Sequence, residues 1–173
     1  MIPKIKTHYI ADENPENHWC FLPVDNEVVL DLGCGKHLVE DNWLTTPEYF
    51  WEKGAISVTG VDPHEEDIKW YQQEAEGNFI VDYIDSPQKV SYYVDSFNVT
   101  SMKMDIEWKE EHFVNCTSDF PTLKYVAIET HSRDLFHDVL FKLLDLGFQP
   151  THLCHFYPRV AKICNVIFAS RGL

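Results

Sequence analysis

The 173-residue sequence has no apolar run approaching the roughly 20 residues that span a bilayer, so no transmembrane helix is expected. Met1-Ile2-Pro3-Lys4-Ile5-Lys6 carries two lysines but no apolar segment behind them, so no secretory signal is expected and a soluble, cytoplasmic protein is. Cysteine pairing is also missing. Cys20, Cys34, Cys116, Cys154 and Cys164 are odd in number, and no two stand as C-x-x-C, which argues against a disulfide framework and a zinc ribbon. Positive charge is scarce: 14 Lys and Arg face 28 Asp and Glu, for a net charge of −14. The basic residues are scattered, so a duplex phosphate backbone and anionic membranes are disfavoured as partners. There is no repeat, low-complexity tract or Gly/Ser linker, and residues 1–173 read as a single domain with an irregular lead-in arm over 1–25.

What is present is a globular alternation of short apolar strands and amphipathic helices. Aromatic residues make up 14% of the chain, which argues against disorder. Strands are expected over 27–32, 56–61, 78–84, 100–106, 124–129, 152–157 and 165–170. Helices are expected over 46–53, from about Glu65 where Glu65, Glu66 and Asp67 suit a first turn, and from Ser86-Pro87 to about Phe97. The clearest helix runs over 133–146, with Ser132 as N-cap, an apolar face of Leu135, Phe136, Val139, Leu140, Leu143 and Leu144, and Gly147 as its stop. Tyr92, Tyr93 and Phe97 read as core. The link between the last two strands is too short for a crossover helix, so they should pair antiparallel. The expected fold is α/β and Rossmann-like: a mostly parallel seven-stranded sheet closed by a C-terminal antiparallel hairpin.

The central motif is Leu30-Asp31-Leu32-Gly33-Cys34-Gly35-Lys36-His37. A glycine pair at a strand's end lets the chain turn and brings backbone N–H groups against a ligand. A dinucleotide loop would have a third glycine where Leu38 stands, and Asp31 would repel a pyrophosphate. S-adenosylmethionine carries ammonium and sulfonium cations and suits an acidic strand end better. The motif resembles motif I of the class I methyltransferases. Asp62, at the end of the next strand, is placed to accept from ribose hydroxyls, and Asp82 or Asp85 from an adenine amino group. The interval from Gly33 to Asp62 exceeds the usual ~20 residues, which implies an insertion around 37–48.

Two further strand ends narrow the resemblance. One reads Lys103-Met104-Asp105-Ile106-Glu107-Trp108-Lys109-Glu110 and the other Glu129-Thr130-His131. Together with Val61-Asp62-Pro63 they resemble the FkbM-type methyltransferases, whose strand four closes on Lys-x-Asp-(Val/Ile)-Glu-Gly-x-Glu and strand five on Glu-x-His. Asp105, Glu107, Glu110, Glu129 and His131 fall on matching positions, over a resemblance spanning roughly 27–170. Trp108 departs from it by replacing a glycine. The resemblance implies methylation of a small-molecule hydroxyl. Asp31, Gly33, Cys34, Gly35, Asp62, Asp82 and Asp105 are then the expected S-adenosylmethionine contacts. His131 is the expected general base, with Glu107 and Glu129 orienting it or acting in its place. No metal is expected, because no ligand spacing singles one out, although Asp, Glu and His are competent ligands. The alternative is a non-catalytic nucleoside-binding or interaction protein that kept the fold. Acceptor and oligomeric state are not legible.

Overall fold

Alternate residues of a strand face opposite sides of a sheet, so a strand covered on both faces is apolar throughout. The strands of this chain follow that rule. In the computed structural model, which describes residues 5–10, 14–36, 43–156 and 165–172, every central strand is buried along nearly its whole length. The elements are β1 (Lys6–Ile10), α1 (Pro15–His18), β2 (Val28–Leu32), α2 (Thr46–Glu52), β3 (Ser57–Asp62), α3 (Glu65–Glu74) and β4 (Asn78–Val81). They continue with α4 (Pro87–Ser96), β5 (Ser101–Met104), α5 (Glu111–Val114), β6 (Tyr125–Thr130), α6 (Arg133–Asp145), β7 (Gln149–Phe156) and β8 (Asn165–Ser170).

They form one mixed sheet in the order β1-β7-β8-β6-β5-β2-β3-β4. β8 lies antiparallel between β6 and β7, and the remaining pairs are parallel. Leu30, Leu32, Met102, Met104, Val126, Ile128 and Ile167 face one layer, built by α4, α5 and α6. Val29, Val58, Ala127, Val166 and Phe168 face the other, which holds Tyr49, Phe50 and the Trp19–Val24 segment. Local signals set the helix starts. Ser132 Oγ accepts from Leu135 N–H at 3.1 Å, Ser86 Oγ accepts from Lys89 N–H at 3.4 Å, and Glu48 accepts from Thr45 N–H at 2.8 Å. Gly147 follows α6 with φ +82°, where a Cβ would be strained.

The sheet has eight strands, not the seven expected from the sequence. The extra strand, β1, comes from the region read as an irregular arm, and pairs Lys6 to His152 and Thr7 to Leu153 on the β7 edge. Five residues at an edge have no alternating pattern long enough to stand out, and their partner lies far along the chain. Residues 19–24 of that segment are packed against the sheet as well. Trp19, Leu22 and Val24 are buried against β2 and α2, and Phe21 stacks on His152 at 4.2 Å. Tyr92 and Leu144, read as core, are exposed. The polar stretch between β5 and β6 nevertheless buries Phe113, Phe120 and Leu123. Residues 37–42 of the insertion expected around 37–48, and the β7–β8 link at 157–164 with Cys164, lie outside the described residues, whereas Thr46–Glu48 open α2.

Candidate active site

In an open α/β sheet, the crevice forms beyond the carboxyl ends of the strands, where strand order reverses. Here that place is between β2 and β5, since β2 continues to β3 on one side and β5 to β6 on the other. Gly33 ends β2 there with φ +80°. A Cβ built on it would lie 1.7 Å from the carbonyl oxygen of Asp105, so the two loops can meet only with glycine at this position.

The loop after Gly33 is tied down on the β3 side. Gly35 N–H donates to Asp62 Oδ2 at 2.9 Å, His64 N–H to Asp62 Oδ1 at 2.8 Å, and Lys36 N–H to Asp67 Oδ2 at 3.0 Å. Tyr71 Oη donates to the Cys34 carbonyl at 2.8 Å. Cys34 packs inward over Gly60, where a Cβ would meet its Sγ at 2.8 Å. Burial, followed by the charges of Asp31 and Asp62, pushes its thiol well up, so it is an unreactive filler whose contribution to a ligand is its backbone.

Asp31 stands beneath the loop. It is wholly buried and pairs with Lys103 Nζ at 2.9 Å, and the same ammonium donates to the Gly33 carbonyl at 2.5 Å. Burial alone would discharge Lys103, but the Asp31 and Asp105 carboxylates outweigh it and hold the ammonium above its ordinary range. The structure therefore gives Asp31 to an internal ion pair, and the motif's charge reaches the crevice through Gly33. Asp82 N–H donates to the Asp62 carbonyl at 3.1 Å, but its carboxylate is engaged with α4. It accepts from Lys89 Nζ and Tyr93 Oη, both at 2.7 Å, and fastens β4's end to α4. Asp85 sits beside the same lysine at 3.4 Å.

The other expected residues converge. His131, with its side chain 3% exposed, follows β6, and its Nδ1–H donates to Glu110 Oε1 at 3.0 Å. Its Nε2 faces Asp105 Oδ1 at 3.7 Å, Glu107 Oε2 at 3.7 Å and Glu129 Oε1 at 3.8 Å. Burial opposes charge on the ring, yet the Glu110 hydrogen bond and the charges of Glu110, Glu129 and Asp105 prevail, and its pKa rises to about 9. An imidazolium donates protons, so the general-base role expected of His131 is at odds with its surroundings at neutral pH. Burial and the Glu129 charge push Asp105 well above the ordinary carboxylate range. Glu129 goes the other way: burial would raise it, but His18 Nε2–H, donating to its Oε2 at 3.0 Å, and the nearby positive charges hold it down.

Sequence reasoning placed Glu110 and Lys103 in the motif without giving either a role, and missed His18 altogether. Their places in one motif, Lys103 inside the end of β5 and Glu110 six residues beyond it, were the available signals for the first two. His18 arrives from α1, and nothing local marks it. The loop Glu107-Trp108 carries φ of +47° and +70°, the left-handed region that the matching glycine would adopt freely. Trp108 places its indole 5.7 Å from the His131 ring.

No family model matches this sequence, and no curated protein does. Solved structures do match in shape. TrmK from M. capricolum, in complex with S-adenosylhomocysteine, is 7% identical with a TM-score of 0.68, over 93% of this chain and 69% of that one. A candidate tRNA methyltransferase from Streptococcus pneumoniae, in complex with S-adenosylmethionine, is 13% identical with a TM-score of 0.64, over 94% and 74%. Magnesium protoporphyrin IX methyltransferase from Synechocystis, with bound S-adenosylmethionine, is 15% identical with a TM-score of 0.55, over 86% and 71%. The fold is the Rossmann-like methyltransferase fold. In this methyltransferase fold, β8 is the antiparallel strand that the short final link anticipates, and β1 is an addition at the far edge. Among the described residues, no helix is long and apolar enough to cross a membrane.

Proposed function

We propose that this chain is an S-adenosylmethionine-dependent methyltransferase that acts on a hydroxyl of a small molecule. The observation that carries the reading is the convergence of the Gly33–Gly35 loop, Asp62 and the His131 cluster on the crevice between β2 and β5. The acceptor class is drawn from the likeness of Asp105, Glu107, Glu110, Glu129 and His131 to the FkbM-type motifs.

The residues suit the cofactor. The Gly33–Lys36 backbone and the Asp62 carboxylate would hold its adenosine end, and the acids of the crevice favour its positive amino acid end. Asp62 accepts one backbone hydrogen bond on each oxygen, and each oxygen keeps a lone pair for a ribose hydroxyl. When bound, the cofactor supplies a methyl on a positive sulfur: the acceptor's oxygen–carbon bond forms as the carbon–sulfur bond breaks, and the electron pair stays on sulfur. Around that step, His131 donates through Nε2 toward the acceptor oxygen and steadies its negative charge. Glu107, whose Oε2 stands 3.7 Å from His131 Nε2 on the open side of the crevice, takes the acceptor's proton. Glu110 holds the ring's orientation from behind. The net charge of −14 weighs against tRNA as the acceptor for this chain.

Isothermal titration tests the reading. S-adenosylmethionine and S-adenosylhomocysteine should bind, NAD should not, and Asp62→Ala should weaken both adenosyl ligands at least about tenfold, the loss of 1.4 kcal/mol. Folded protein that binds neither adenosyl ligand would refute it.

A further inference from the structure

The carboxylates around His131 are too far from Nε2 for hydrogen bonds, yet too near one another to be at ease as bare charges. Asp105, Glu107 and His131 each offer a ligand atom, all within 4.8 Å of one another. The His131 ring is almost completely buried, and its one free nitrogen points into that space at 3.7 Å from both carboxylates. Cis and trans ligands of a six-coordinate cation stand roughly 3.0 and 4.2 Å apart for a ~2.1 Å metal–ligand distance. The two separations from His131 Nε2, 3.7 Å to Asp105 Oδ1 and 3.7 Å to Glu107 Oε2, lie between those limits.

The far side of the ring is built in the same way. A metal-ligating histidine commonly donates its second N–H to a carboxylate, which fixes the tautomer and aims the other nitrogen at the metal. Glu110 does this for His131, and its carboxylate is fully buried with Oε2 unbonded among the described residues. The strained Glu107-Trp108 turn has a use in this arrangement. Glu107 and Trp108 both take left-handed φ there, and Glu107 Oε2 stands 3.7 Å from His131 Nε2.

The geometry points to a divalent-cation site formed by Asp105 Oδ1, Glu107 Oε2 and His131 Nε2, with Glu129 Oε1 behind them. Two carboxylates and one imidazole, open on the Glu107 side, suit an oxygen-preferring ion of the Mg²⁺ or Mn²⁺ class more than a thiolate-seeking one. Water or substrate oxygens would fill the remaining positions. Cation binding stands on the cluster alone. The cation's role in methyl transfer rests on the proposed function: with an ion bound, His131 Nε2 would ligate it instead of donating a proton, and the ion would take over the steadying of negative charge on the acceptor oxygen while the proton passes to water at the open side.

The probe is Mn²⁺ added to the full chain after removal of metals with EDTA, with the free aqua ion followed by electron paramagnetic resonance. One Mn²⁺ per chain should leave the free signal. Glu107→Gln should weaken binding at least about tenfold and Glu110→Gln by about 10–100-fold, whereas Glu111→Gln, on an exposed acid outside the cluster, should change nothing. Glu107 has a 62% exposed side chain, so its substitution leaves the core intact. Undiminished free signal at millimolar protein, or equal affinity in Glu107→Gln and wild type, would overturn the site. Titrating the same sample with S-adenosylhomocysteine separates the two ideas. Mn²⁺ bound without the nucleoside upholds the site and removes its role in transfer, and the nucleoside bound without Mn²⁺ overturns the site and leaves the methyltransferase reading standing.

Discussion

Lys103→Met replaces a buried ammonium with an apolar chain of similar length and leaves Asp31 with no counter-charge in a fully buried place. Two routes give the cost. Breaking one side of a buried ion pair costs about 3–5 kcal/mol. Alternatively, Asp31 takes up a proton, and holding a carboxyl neutral at pH 7, roughly three units above its ordinary pKa, costs about 4 kcal/mol at 1.36 kcal/mol per unit. The routes agree, so a loss of about 4 kcal/mol is expected. For a chain of this size each kcal/mol moves Tm by about 2–4 °C, which gives a fall of roughly 8–16 °C. Urea denaturation at pH 7 measures it, with the slope checked for constancy between variants. The Asp31→Leu, Lys103→Met double variant removes both charges and should recover most of the loss. Lys103→Met within about 1 kcal/mol of wild type, or a double variant no more stable than the single, would refute the view that this pair supports the Gly33 loop.

Two further outcomes follow from local geometry. At Trp108, with φ +70°, Trp108→Gly should be more stable than Trp108→Val by about 1–3 kcal/mol, because a β-branched residue tolerates that backbone least; equal denaturation midpoints would mean that the turn is unstrained. Burial works to raise the Asp82 carboxyl, but Lys89 and Tyr93 hold it below the ordinary range. A depressed carboxyl contributes stability that is present above its unfolded pKa and lost as pH falls, so the gap between wild type and Asp82→Asn should narrow below about pH 4. A gap independent of pH in denaturant titrations would contradict it.

The fold was legible where signals are local. α6 needed only a capping serine, a 3.6-residue apolar period and a terminal glycine, and all three act within one segment. The strand ends were legible because Asp, Gly and Glu interrupt apolar runs. β1 was not, because an edge strand of Lys-Thr-His-Tyr-Ile gains its order from β7, some 146 residues away in register. The candidate site divides in the same way. Which acids and which histidine lie near the crevice can be read from strand ends. Charge state cannot: His131 is held cationic by Glu110 and Asp105 after β5 as well as by Glu129 on its own strand, and Asp31 is claimed by a lysine on β5. Those are facts of packing between strands, and sequence spacing carries no trace of them.

The central claim is that S-adenosyl ligands occupy the crevice between β2 and β5. Amide chemical shifts of isotopically labelled protein titrated with S-adenosylhomocysteine test it most directly. The account predicts saturable shifts centred on Gly33, Cys34, Gly35, Asp62 and Asp105. Absent shifts, or shifts centred on the hollow lined by Gln88, Ser91, Asn115 and Thr117 between α4 and α5, would contradict it.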